Sequence, residues 1–192
     1  MATTAAQVSL ETYLTTSYEP DVDYVDGVLE DRNVGEYDHN IVQRAILIWF
    51  YLHEKEWRIR SVQEQRTRVG STRVRIPDVC VFSRDIPIEQ VFTKPQLIAI
   101  EVLSPEDRHS RIDARLSNFR SFGVPNLWVV DPATRSGWIA AMETGCARSG
   151  LKWQTRRSIF LFRSYSKRSM KTTQIEGVDF AGLKVELGGP GT

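Results

Sequence analysis

Gln96-Leu97-Ile98-Ala99-Ile100-Glu101-Val102-Leu103-Ser104-Pro105 is the stretch on which the fold turns. From Leu97 to Leu103 it is apolar at every position but one. A run apolar on both alternating faces suits a strand covered on both sides of a sheet. Glu101 breaks the run. An ionised carboxylate buried without a partner costs several kcal/mol (roughly). It therefore needs a cationic partner, a proton or a metal ion.

Downstream, Ser104-Pro105-Glu106-Asp107 reads as a helix start: a capping Ser, Pro at the first position, then acids at the positive end of the dipole. Ile112, Leu116 and Phe119 mark its buried stripe, and Gly123 with Pro125 ends it. Asn126 to Asp131 is a second buried strand. Gly137 to Met142 is a further one, after a turn centred on Pro132. Upstream, Ser61 to Val69 and Thr72 to Phe82 read as a hairpin about Gly70-Ser71. Pro77 lacks an N–H and belongs at an edge or irregularity. Asp38 to Trp57 has the broad apolar stripe of a helix, with Asp38 as its N-cap. Asp26-Gly27 between apolar residues signals a hairpin. Ser9 to Ser17 fits a short helix stopped by Glu19-Pro20. This order predicts a mixed α/β or α+β domain with one sheet.

The chain has 192 residues, 41% hydrophobic and 26% charged, as one globular domain with a tail would have. Its formal charge of +1 hides a segregation. Through Glu143 there are 16 basic and 21 acidic residues; from Thr144 there are 9 and 3. Residues 1–143 therefore read as the domain, and 144–192 as a basic C-terminal segment whose blunt functional reading is contact with nucleic acid. Cys80 and Cys146 are the only cysteines, too few for a tetrahedral metal site, and they suit a reduced, cytoplasmic setting. Met1 to Leu10 does not read as a secretory signal. Ile41 to Leu52, the most apolar run, is too short to span a bilayer, so no membrane is expected.

Asp78 is a second carboxylate among apolar neighbours. Alternation sets it on one face with Cys80 and Phe82, and Glu101 on one face with Leu97, Ala99 and Leu103. Two carboxylates on neighbouring strands suit a hard divalent cation such as Mg²⁺.

Ile76-Pro77-Asp78, then Ile100-Glu101-Val102-Leu103-Ser104-Pro105, resembles the PD-(D/E)XK nuclease superfamily. The closer similarity is to its Uma-type endonuclease family. Asp23-Tyr24-Val25-Asp26-Gly27 and His39 match that family's first half. Phe122-Gly123-Val124-Pro125-Asn126-Leu127-Trp128-Val129-Val130-Asp131-Pro132 matches its later signature. The resemblance covers Ser9 to Met142 and fades from Thr144. It implies a restriction-endonuclease-like core, a central sheet flanked by helices, and a DNA endonuclease using Mg²⁺ or Mn²⁺. It also implies DNA as partner and a homodimer.

The superfamily's Lys is absent at its usual place, where Leu103 stands. The position matching the Uma-type Lys is Arg115. With Ile112 as zero, Arg115 falls at about 300°, between Phe119 at about 340° and the solvent face. It borders the buried stripe and can aim at the carboxylates. Asp78 and Glu101 are then the metal ligands. Arg115 neutralises developing charge, Asp23 is an auxiliary ligand or orienting acid, and His39 contacts phosphate or orients water.

Blander readings stand beside these. Glu101 can form a structural ion pair with Arg115 or Arg108, and Asp78 can be a turn residue. Arg115 can snorkel, His39 can cap or pack at a helix start, and Asp23 can be merely solvated. The converging carboxylates favour ligation at Asp78 and Glu101. Arg58, Arg60, Arg66, Arg68, Arg73 and Arg75 read as a charge-defended edge ahead of a phosphate-tracking stripe. Behind the endonuclease reading stands an alternative: a catalytically inactive nuclease-fold relative with a nucleic-acid-binding or structural role.

Overall fold

The computed structural model describes residues 7–33 and 36–140. The basic segment from Thr144 and the boundary drawn at 143 lie outside these residues. Helix α1 (Leu10–Thr15) leads into a hairpin of β1 (Val22–Val25) and β2 (Val28–Asp31). Asp26 and Gly27 both take positive φ, 51° and 93°, as a tight two-residue hairpin requires. Helix α2 (Tyr37–Trp57) follows, then β3 (Ile59–Gln63), β4 (Thr67–Gly70), β5 (Arg73–Arg75) and β6 (Val79–Ser83). Next come β7 (Ile98–Val102), α3 (His109–Phe122), β8 (Asn126–Asp131) and β9 (Ser136–Ile139).

The expectation of one sheet is corrected: there are two. The larger runs β3-β6-β7-β8-β9, and the smaller β2-β1-β5-β4. The long hairpin from Ser61 to Phe82 is shared between them. Its outer halves, β3 and β6, pair in the larger sheet, while its tip, β4 and β5, pairs in the smaller. The breaks fall at Glu64, with φ 51°, and around Pro77, which cannot donate to a ladder.

β7 is the middle strand of the larger sheet, antiparallel to β6 and parallel to β8. Alternation sorts its two faces. Ile98, Ile100 and Val102 pack with Val79, Val81, Trp128 and Val130 under Val42, Ile46 and Phe50 of α2. Ala99, Leu127 and Val129 pack on the other face under Ile112, Leu116 and Phe119 of α3. The core is thus the expected sheet between helices.

Two helix starts are corrected. The N-cap of α2 is Glu36, and Asp38 lies within the first turn. α3 begins at His109, five residues after the expected cap Ser104. The local acids explain this: Asp107 Oδ2 accepts the Ser104 N–H at 2.7 Å, and Ser104 O accepts the Asp107 N–H, closing a separate turn. At its other end α3 stops on Gly123, φ 100°, whose N–H caps the last turn.

α1 seals the smaller sheet through Tyr13, which stacks near Tyr18 and Tyr24 and donates its hydroxyl to Val22 O at 2.8 Å. Burial pushes this phenol up to about 12, against the opposing charge of Arg66. A neutral Tyr13 therefore contributes stability in full below its unfolded value near 10, lost as pH rises through about 12. The unfolding free energy from urea titrations is expected to fall by about 2–3 kcal/mol between those pH values, and Tyr13→Phe is expected to remove that alkaline limb. An unchanged limb in the variant defeats the assignment.

Candidate active site

The larger sheet brings Asp78 and Glu101 together. Val79 pairs with Ile100 across β6 and β7, so one residue further on the same register sets Asp78 beside Glu101. Both are buried, 5% and 3% exposed. They lie where β7 ends and α2 and α3 begin, the end of a sheet at which ligands collect. A small, half-open cleft lies there, lined by Asp78, Glu101, His39 and Arg115 together with Arg32, Asn33, Asp107 and Arg111.

Asp78 is held from several sides. Its Oδ2 accepts the Val102 N–H at 2.7 Å and faces His39 Nε2 at 3.4 Å, and its Oδ1 accepts Arg32 Nη2 at 2.8 Å. Its carbonyl accepts Gln43 Nε2 at 2.9 Å and the Glu64 N–H at 3.2 Å, which pins the backbone ahead of β6. Burial opposes ionisation of Asp78, but the His39 hydrogen bond and the Arg32 charge outweigh it and hold the carboxyl below its usual range. Burial likewise opposes the His39 cation, and its hydrogen bond to Asp78 overrides this and raises its pKa.

Glu101 accepts Arg115 Nη2 at 3.0 Å. Burial pushes its carboxyl up to about 7, Arg115 opposes that, and the charge of Asp78 adds to it. Arg115 also donates from Nη2 to Ile76 O at 2.8 Å and from Nη1 to Asp23 Oδ2. Despite its burial, these anions raise its pKa further, so it stays a cation.

Asp23 does not line the cleft. It sits on β1 behind Arg115, fully buried, with Oδ1 accepting the Ile76 N–H at 2.9 Å and Oδ2 accepting Arg75 Nη1 at 3.0 Å. Arg75 reaches Glu30 Oε2 at 2.5 Å and Asn118 Oδ1 at 2.8 Å. Charges thus alternate from Glu30 through Arg75, Asp23 and Arg115 to Glu101. Asp23 thus stands behind Arg115, away from Asp78 and the cleft lining.

Arg75 was the one hairpin arginine with a place in this network. The others have local partners: Arg58 pairs with Asp85, Arg66 with Asp21 and Arg73 with Asp26, while Arg60 and Arg68 donate to carbonyls. No phosphate-tracking stripe of unpartnered guanidinium groups forms among them.

Sequence reasoning missed Arg32, Asn33, Asp107 and Arg111 as cleft residues, and Gln43 as a support of Asp78. Gln43 carried a signal, as a polar side chain within an apolar helical stripe. Arg32 carried none, since it follows a hairpin rich in charges.

Among the described residues, no group of three or more His, Cys, Asp or Glu side chains stands ready to hold a metal ion. Asp78 and Glu101 nonetheless fit Mg²⁺. It takes hard oxygen ligands and is commonly held by one or two carboxylates, with water and substrate phosphate completing the shell. Cys80 on the neighbouring strand is buried, and burial raises its thiol pKa, so it is not a competing soft ligand.

A sheet flanked by two helices, with a pair of buried carboxylates at one end, matches the restriction-endonuclease-like core that the sequence resemblance implied. The chain belongs to the Uma2 family, "Putative restriction endonuclease", whose family model matches residues 10–165. That match continues past Glu143 into the basic segment. The fold is similar to that in a crystal structure titled "a putative nuclease belonging to DUF820" from Anabaena variabilis. The two share 19% identity over 69% of this chain and 78% of that one, with a TM-score of 0.62. At that identity the likeness shows the fold alone. No curated protein matches the chain.

Proposed function

We propose that the protein is a metal-dependent DNA endonuclease that hydrolyses phosphodiester bonds, with Asp78 and Glu101 holding Mg²⁺ or Mn²⁺. The observation that carries this reading is the pairing of two buried carboxylates side by side at a cleft also lined by Arg32, Arg111 and Arg115. When bound, the cation supplies Lewis-acid charge at the phosphate and acidifies water.

The chain's own residues do the rest. Arg115 presents a guanidinium that stabilises negative charge developing on the phosphoryl group. It cannot act as a general base, because it stays protonated. Asp23 fixes its orientation from behind. His39, whose pKa the hydrogen bond to Asp78 raises, contacts phosphate or orients water. Arg111 adds a second cationic wall. A reducing compartment such as the cytoplasm suits the free, buried Cys80. No described helix is long and apolar enough to cross a membrane. The resemblance also implies a homodimer, which sedimentation of the full chain tests.

One observation favours a second reading. Glu101 Oε1 is committed to Arg115, where the family carries a Lys, and this suits a catalytically silent relative that binds nucleic acid or serves a structural role. Nicking of supercoiled plasmid with Mg²⁺ or Mn²⁺ separates the two. Cleavage that chelation abolishes supports the endonuclease; its absence overturns it. Arg115→Lys is expected to raise the rate by about 10²-fold, since a lysine can shed its proton and an arginine cannot. Cleavage seen only in that variant supports the silent reading, and a rate that falls shows that the guanidinium itself is used.

A further inference from the structure

Each oxygen of Asp78 already has a donor, and the donors differ in how firmly they are held. The Val102 N–H belongs to β7, and His39 stands in the first turn of α2. Arg32 follows β2, outside any helix or strand. Among the described residues its guanidinium hydrogen-bonds only Asp78, at Oδ1. Arg115 is the contrast, anchored by Asp23, Glu101 and Ile76 O.

A guanidinium and a divalent cation on one carboxylate oxygen repel each other strongly in a buried site, so they compete for it. We infer that Arg32 is an exchangeable counter-ion. It neutralises Asp78 until a divalent cation takes Oδ1, and the released guanidinium then takes a substrate phosphate. This rests on the metal-dependent endonuclease reading. Its backbone has reason to stay in place meanwhile: the adjoining Asn33 donates to Asp107 Oδ1 at 2.7 Å and accepts Arg111 Nη1 at 3.4 Å. The freed side chain, only 12% exposed beside Asp78, needs a new anion. A phosphate matches its planar fork of donors. Metal and phosphate therefore bind with positive coupling, which is reciprocal by linkage.

Mn²⁺ binding by calorimetry tests this on the full chain, for wild type, Arg32→Met, Arg32→Lys and Asp78→Ala. Each is measured with and without a phosphorothioate DNA oligonucleotide. Arg32→Met is expected to bind Mn²⁺ alone about tenfold more tightly than wild type, and Arg32→Lys, which keeps the charge, about as wild type does. The oligonucleotide is expected to tighten Mn²⁺ binding about tenfold in wild type and hardly at all in Arg32→Met. A gain in Arg32→Met cannot come from a loosened fold, which would weaken the site. Mn²⁺ binding by Arg32→Met no tighter than wild type, with binding lost in Asp78→Ala, overturns the exchange and leaves the metal site standing. Equal tightening by the oligonucleotide in both proteins overturns the phosphate step. No binding in wild type, or binding unaltered in Asp78→Ala, overturns both this inference and the metal-dependent reading.

Discussion

Asp23→Ala is expected to lower folding stability by about 3–5 kcal/mol, the range for breaking a buried ion pair by removing one partner. Asp23 is fully buried and is shared by Arg75 and Arg115, themselves 3% and 5% exposed. Without it, two guanidinium groups remain in the interior, each with fewer anions, and the Ile76 N–H loses its acceptor. Glu30 keeps part of the charge of Arg75 compensated, and Glu101 part of that of Arg115. Urea denaturation reads the loss as a lower midpoint at unchanged slope, and heating as a Tm lower by about 10 °C or more. Asp23→Asn retains the volume and an oxygen for Ile76 and is expected to lose less. In Asp23→Ala combined with Arg75→Met the losses are expected not to add, because one unpaired charge is gone. A loss under about 1 kcal/mol for Asp23→Ala shows that the network is not a structural support.

Asp78→Ala and Glu101→Ala are each expected to reduce Mg²⁺-dependent nicking about 10³-fold, the equivalent of several kcal/mol of lost charge stabilisation at the phosphate. Their effects on stability should differ from those on activity. Glu101→Ala leaves Arg115 held by Asp23 and Ile76 O, so its cation keeps a partner. Asp78→Ala frees Arg32 and deprives the Val102 N–H of its acceptor, so it is expected to be the less stable of the two. A nicking assay alongside circular dichroism melts separates lost chemistry from lost fold. Cleavage equal to wild type by both folded variants defeats the assignment of Asp78 and Glu101.

Local chemistry made several elements legible before any tertiary contact was known. The apolar run around Ile100 marked β7 as central, because only a strand covered on both faces can afford it. Asp26-Gly27 marked a hairpin, since both positions take positive φ. Gly123 marked the end of α3 for the same reason. The start of α3 misled, because Ser104, Pro105 and Asp107 have the chemistry of a helix cap and spend it on a turn. The number of sheets misled too. Strand periodicity says which residues alternate and is silent on where two strands part company, and the partings at Glu64 and Pro77 send one hairpin into two sheets.

The sequence by itself determined that Glu101 and Asp78 are carboxylates set in apolar strands, a costly placement that demands compensation. It also determined the cationic residue, Arg115, on the edge of the following helix. Only the tertiary structure decided who compensates whom. Register between β6 and β7 sets Asp78 beside Glu101, Asp23 arrives behind Arg115 from the other sheet, and Arg32 reaches Asp78 from a loop. Burial strength is a property of local composition, but ion pairing acts over a few ångströms between residues far apart in the chain. Those neighbours exist only once both sheets and both helices have packed.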